Sequence, residues 1–223
     1  IEDLGLLKMD FLGHANLTII SDALRLIEQN HGVKINIDEI PLDDKETFRL
    51  LREGRTTGIF QLEGSGMRRY FKELKPTIFE DIAVMIALYR PGPIELIPEF
   101  IARKHGKKRI EYLHPKLEPV LASTYGIMIY QEQLMAAARA LAGFSLPEAD
   151  ILRKAVGKKI KRLLADQKDK LIQGCKANGI SESVAEKFWQ LIEPFDRYGF
   201  NKSHAISYAR VAYQTAYLKA HYP

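Results

Sequence analysis

The chain has 223 residues, of which 46% are hydrophobic and 27% charged, and carries a formal charge of +5 at neutral pH. This is the balance of a soluble globular protein long enough for one sizeable domain or two small ones, and it excludes a disordered chain. The basic excess favours an anionic partner, and the single cysteine, Cys175, excludes an internal disulfide or a Cys-based zinc site and fits a reducing compartment.

No apolar run reaches the roughly 18 residues of a membrane span, and no signal pattern opens the sequence, so the expectation is a cytoplasmic protein with no membrane partner. Both ends read as cut, and a piece of something longer is expected. "LLKMDFLG" (6–13) reads as a short buried strand with one carboxylate, Asp10, among apolar residues. A carboxylate so placed must be paired, bound to a metal or satisfied by local N–H groups.

Helix signals dominate from there. Asn16 is a cap for a helix with Leu17, Ile20, Leu24 and Ile27 on one face, ending near Gly32. Asp43 with Glu46, Thr77 with Glu80 and Ser145 with Glu148 have capping-box spacing. The second of these helices stops at "RPGP", and Pro98 kinks the next or sits in its first turn. "GIMIY" (126–130) is the strand candidate of the middle, followed by helices over 131–142, 148–156, 160–177, 182–193 and 204–221. The fold class expected is mainly α with a minor α/β edge, a strand-bearing segment (1–40) joined to a helical body (41–223).

Two stretches could carry chemistry. In "RKAVGKKIKR" (153–162) six of ten residues are basic and none is acidic. On one helix Lys154, Lys158, Lys161 and Arg162 would share about a third of the circumference, opposite Leu152, Val156, Ile160 and Leu163. Gly157 is a possible break. The reading is a phosphate-binding face, against that of a solvated basic surface. In "YGFNKSHAISYARVAYQTAYLKAHYP" (198–223) Ser203 is the expected N-cap, with Asn201 and Lys202 before it and His204 in the first turn, a helix start suited to phosphate. Tyr208, Tyr213 and Tyr217 alternate with basic residues as nucleotide sites do, although Tyr213 and Tyr217 read better as core. Arg90, on the stiff corner "ALYRPGP", is either a phosphate contact or a cap for the preceding helix. Gly64 and Gly66 precede Arg68 and Arg69, but in no established phosphate-loop spacing, and the six histidines show no metal-ligand spacing.

Read together, "KMDFLG", "GIFQLEGSGM", "ALYRPGP", "FIARKHG", "TYGIMIYQEQ", "ADILRKAVGKK", "YGFNKSHAISYA" and "AYQTAYLKAHYP" resemble, in order and over nearly the whole chain, the bacterial DNA polymerase III alpha subunits, the C-family replicative polymerases. The resemblance implies a DNA polymerase β-like nucleotidyltransferase palm, ending over 1–40, and a helical fingers domain over 41–223, truncated at its end. It implies that Asp10 is the third carboxylate of a two-Mg²⁺ site whose other ligands lie upstream of Ile1. It assigns Arg153, Lys154, Lys158 and Lys159 to the triphosphate and Asn201, Lys202, Ser203 and His204 to the incoming nucleotide; Arg90, read from its stiff corner, joins them as an expected nucleotide or DNA phosphate contact. Lys154 stands where the family has a second arginine, Arg197 where it has glycine, and His14 where it has an apolar residue. Primer–template DNA, dNTP, the rest of the polymerase chain and other replisome subunits are the implied partners. The fragment alone is expected to be inactive. The alternatives are a non-catalytic helical nucleic-acid-binding module, with Asp10 structural, and a helical protein-interaction domain.

Overall fold

Apolar residues at helical spacing, punctuated by glycines and capping side chains, make an α-helical molecule. The computed structural model describes residues 4–6, 15–158, 161–196 and 199–223. Eleven helices are named among them: α1 (Ala15–His31), α2 (Lys45–Arg52), α3 (Ser65–Leu74), α4 (Phe79–Leu88), α5 (Ile97–Lys104), α6 (Glu118–Leu121), α7 (Gln131–Ala142), α8 (Leu146–Lys158), α9 (Lys161–Ala177), α10 (Glu182–Ile192) and α11 (Lys202–His221). Asp10, His14, Lys159, Ile160 and Arg197 lie outside the described residues, as does the strand expected over 6–13 beyond Leu6.

The described helices pack around two cores. The first is centred on α4, buried along nearly its whole surface through Ile82, Val84, Met85 and Leu88. Against it lie Phe48 and Leu51 of α2, Met67 and Phe71 of α3, Phe100 of α5, and α11. Ala205, Ala209, Ala212 and Ala216 recur on one side of α11, so a long helix approaches α4 closely, and Tyr213 fills the same interface. The second core joins Leu134 and Leu141 of α7, Leu152 and Val156 of α8, Leu171 and Cys175 of α9, and Phe188, Trp189 and Ile192 of α10.

Gly126 of "GIMIY" closes a turn (φ 79°), and residues 127–130 after it belong to no sheet among the described residues. Among the described residues their only β pairing is a single parallel bridge, Tyr130 to Phe200. Ile127, Ile129 and Tyr130 enter the first core while Met128 packs on the second. An extended segment buried on both sides has the apolar pattern of a buried strand. Here two helical cores flank it, and both chains leave the bridge at once into α7 and α11.

Four helix starts differ from expectation, that of α11 being described with the site below. Asn16 lies inside α1, not at its cap. The cap of α2 is Asp44, not Asp43, its carboxylate accepting from the Thr47 amide at 2.7 Å. At α4 the cap position is Ile78, and Asp81 reaches back to accept from the amides of Thr77 (2.8 Å) and Ile78 (3.2 Å). The Ser145–Glu148 box at α8 forms as expected, and Pro98 falls in the first turn of α5.

Candidate nucleotide-binding face

The bridge between Tyr130 and Phe200 organises one face of the molecule. The Phe200 amide donates to the Ile129 carbonyl (3.1 Å), and the Gln131 amide donates to the Phe200 carbonyl (2.9 Å). This pairing holds Asn201 extended (φ −72°, ψ 122°), so α11 begins at Lys202. Asn201 therefore caps the helix, its side-chain oxygen accepting from the His204 amide at 2.8 Å, and Ser203 sits inside the first turn. The expected cap at Ser203 is thus displaced by two residues.

Glu132, at the head of α7, accepts the Lys202 amide with both carboxylate oxygens, at 3.1 and 2.9 Å. The helix start that was expected to await a phosphate already holds a carboxylate and an amide oxygen on two of its amides. The Lys202 ammonium lies 5.8 Å from the centroid of the Tyr130 ring. Burial, with Glu80 and Glu132 nearby, pushes the Tyr130 hydroxyl well above its usual pKa.

Four aromatic rings and an arginine form a ladder beside this junction. The Arg90 guanidinium lies over Phe200 at 4.8 Å. Phe200 meets His204 at 5.6 Å, His204 meets Tyr208 at 4.2 Å, and Tyr208 meets Phe60 at 5.3 Å. Arg90 also donates from Nε to the Ala87 carbonyl at 3.0 Å, so it caps α4 while facing the ladder, and burial lowers its pKa. Tyr213 is fully buried, as read for core, and Tyr217 is half-buried.

Of the basic stretch, Arg153, Lys154 and Lys158 belong to α8 and Lys161 and Arg162 to α9, two helices that pack on one another, and residues 159–160 between them lie outside the described residues. Arg153 reaches the face through a 3.4 Å hydrogen bond from Nη1 to the Gln131 side chain. It also pairs with Asp150 at 2.7 Å, as Lys154 does at 2.8 Å. Hydrogen bonds from Lys154 and then Arg153 hold the Asp150 carboxyl below its ordinary pKa. The stretch without acids in sequence thus gains one from the preceding helical turn. The Arg153–Asp150 pair is partly buried and Lys154 is exposed, and such solvent-accessible pairs are worth ~0–1 kcal/mol. The side chains of Lys158 and Lys161 lie outside the described residues, as does all of Lys159.

Of the sequence-selected residues, Arg90, Arg153, Asn201, Lys202, Ser203 and His204 gather at this junction, and Lys154 stands one position from Arg153. Residues the sequence reading did not select are Tyr130, Gln131, Glu132 and Phe200. Phe200 adjoins Asn201 and was legible as an aromatic beside a basic segment. Tyr130 and Glu132 are 70 residues away from their partners, with no local signal. Among the described residues no group of three or more His, Cys, Asp or Glu is placed to hold a metal ion. No described helix is long and apolar enough to cross a membrane.

The model of the bacterial DNA polymerase III alpha subunit finger domain matches residues 16–179. The whole chain aligns with proteins named DNA polymerase III subunit alpha. Identity is 52% over 223 residues with that of Halalkalibacterium halodurans and 53% over 225 residues with that of Aquifex aeolicus, covering 20% and 19% of those proteins. With that of Staphylococcus aureus it is 49% over 222 residues, covering 21%. The chain spans about a fifth of the length of these relatives.

Proposed function

Because the chain belongs to the bacterial DNA polymerase III alpha subunit family and carries its finger domain, we propose that the face around Tyr130 and Phe200 binds the incoming deoxynucleoside triphosphate during template-directed primer extension. The observation that carries this reading is the convergence on one face of Arg90, Arg153, Lys202 and His204, contributed by three distant parts of the chain. Cations held beside stacked rings suit a nucleotide, phosphates meeting charge and the base or sugar meeting aromatic edges. Arg153 is the triphosphate contact, taking phosphate in place of Asp150, and Lys154, Lys158 and Lys159 extend the same charge. Lys202, Ser203 and His204 border the nucleotide, while Asn201 acts by setting the start of α11. In phosphoryl transfer such groups orient the substrate and stabilise developing charge.

On this reading residues 1–40 are the edge of the palm and 41–223 the fingers of a cytoplasmic polymerase that acts on primer–template DNA with other replisome subunits. Mg²⁺ enters it only through Asp10, on the resemblance, and the fragment alone is inactive. In the complete polypeptide, Arg153→Gln should raise KM for dNTP about 10- to 100-fold, as expected for a charge-assisted hydrogen bond, with DNA affinity unchanged. An unaltered KM overturns the assignment. Asp10→Asn should abolish extension and leave DNA binding intact. Retained extension would favour a non-catalytic nucleic-acid-binding role for this region.

A further inference from the structure

A second basic site lies at the far end of α4 from Arg90. A cleft of about 530 Å³ is lined by Arg52, Lys75, Thr77, Lys104, His105 and Tyr125, with no carboxylate among its lining residues. Its floor is neutral, because Lys104 pairs with the buried Asp81 at 2.8 Å and donates to the Thr77 hydroxyl at 3.1 Å. Its rim is charged. Arg52 donates to the Pro76 carbonyl at 3.3 Å, which orients its guanidinium without neutralising it, and His105 approaches the Glu73 carbonyl at 3.1 Å. Neither Arg52 nor Lys75 takes part in any ion pair among the described residues.

Capping of helix ends accounts for Arg52 and His105 but not for Lys75. Lys75 terminates α3 in the left-handed conformation (φ 49°), where glycine is the usual residue, as Gly143 is after α7. Tyr125, on the same cleft, is also left-handed (φ 52°). Of three described non-glycine residues at positive φ, two therefore line this one cleft, the third being Gln61. Strain of this kind is retained where a side chain is needed at the site. A hydroxyl, an aromatic ring and uncompensated cations around an open cleft suit the sugar–phosphate backbone of a nucleic-acid strand. The ten residues of α4 set the cleft about 15 Å from the Arg90 end, four to five base steps at about 3.4 Å.

We propose that this cleft is a second nucleic-acid site, taking backbone phosphates of a DNA strand away from the nucleotide-binding face. It rests on the reading of the chain as part of a DNA-binding polymerase. The test is fluorescence anisotropy of labelled primer–template with a single-stranded template extension, titrated with salt, on the complete polypeptide with Lys75→Gly or Lys75→Gln. Both variants remove the charge, but only glycine relieves the strained backbone. Both should weaken DNA binding several-fold and flatten the log–log salt slope by about one, with KM for dNTP unchanged. The glycine variant should keep or raise the melting temperature, which separates loss of contact from loss of fold. Wild-type affinity and slope in both variants would overturn the proposal and leave the nucleotide face untouched. Unchanged DNA binding with a raised KM for dNTP would overturn it in favour of a free-triphosphate site. Failure of the unaltered polypeptide to bind DNA would remove the functional reading as well.

Discussion

Asp44 shows how one carboxylate can tie three segments together. It caps α2 through the Thr47 amide and hydroxyl (2.7 and 2.6 Å), and its Oδ1 meets His221 Nε2, at the end of α11, at 3.0 Å. Its own amide donates to the Tyr213 hydroxyl (3.0 Å), which donates in turn to the Pro41 carbonyl (2.7 Å). Burial alone would raise the Asp44 pKa, but the hydrogen bonds from Thr47 and His221 outweigh it and hold the group below the model-compound value of 3.8. A carboxylate depressed on folding contributes stability above its unfolded pKa and loses it as pH falls through the folded value. Asp44→Asn should therefore be less stable than the parent near neutrality, and the gap should narrow below about pH 3.8. Urea unfolding midpoints across pH 7 to 2.5 measure this, and a gap that stays constant would show that the carboxylate's charge is not what matters.

At the scale of elements, helix starts were legible in type but not in position. Asp43 and Asp44 are both capping residues, as are Asn201 and Ser203, and local sequence does not choose between neighbours of the same chemistry. Tertiary contacts choose. The Tyr213 hydroxyl anchors the Asp44 amide, and the pairing of Phe200 with the 129–131 segment fixes Asn201 outside the helix. Asn201→Ala should cost about 1 kcal/mol of stability, while Ser203→Ala should stay within about 0.5 kcal/mol. Equal losses, measured by denaturant unfolding, would return the cap to Ser203. The basic end of α8 has a similar lesson. Six of ten residues are basic with no acid among them, yet Asp150, just outside the window, takes up two of them.

Across the whole molecule, the two cores share the extended stretch 127–130, whose side chains go to both. The second core depends on close approach of its helices. Gly174 of α9 lies against the Ala142 carbonyl of α7, closer than any Cβ could stand, and the obstacle is backbone, which cannot swing aside. Gly174→Ala should destabilise the chain by about 1–3 kcal/mol through overpacking. Thermal unfolding tests it, and a neutral result would mean that α7 and α9 can separate without cost. Glycines 32, 54 and 143 play the simpler part of ending helices at positive φ, where an L side chain is disfavoured.

Composition, periodicity and punctuation were enough to establish a mainly helical chain and most helix spans, and to turn Leu152, Val156 and Tyr213 inward, because each rests on interactions within a few residues. The family was legible too, since eight motifs in order are a property of the sequence itself. Tertiary structure alone decided that "GIMIY" is a spine between two cores, that Glu132 occupies the start of α11, and that Arg90, Arg153 and His204 gather around Phe200. It alone assembled Arg52, Lys75 and His105 into a cleft. Those arrangements join residues tens of positions apart, and which distant residues meet is set by the packing of whole helices, a property that no local window of sequence contains.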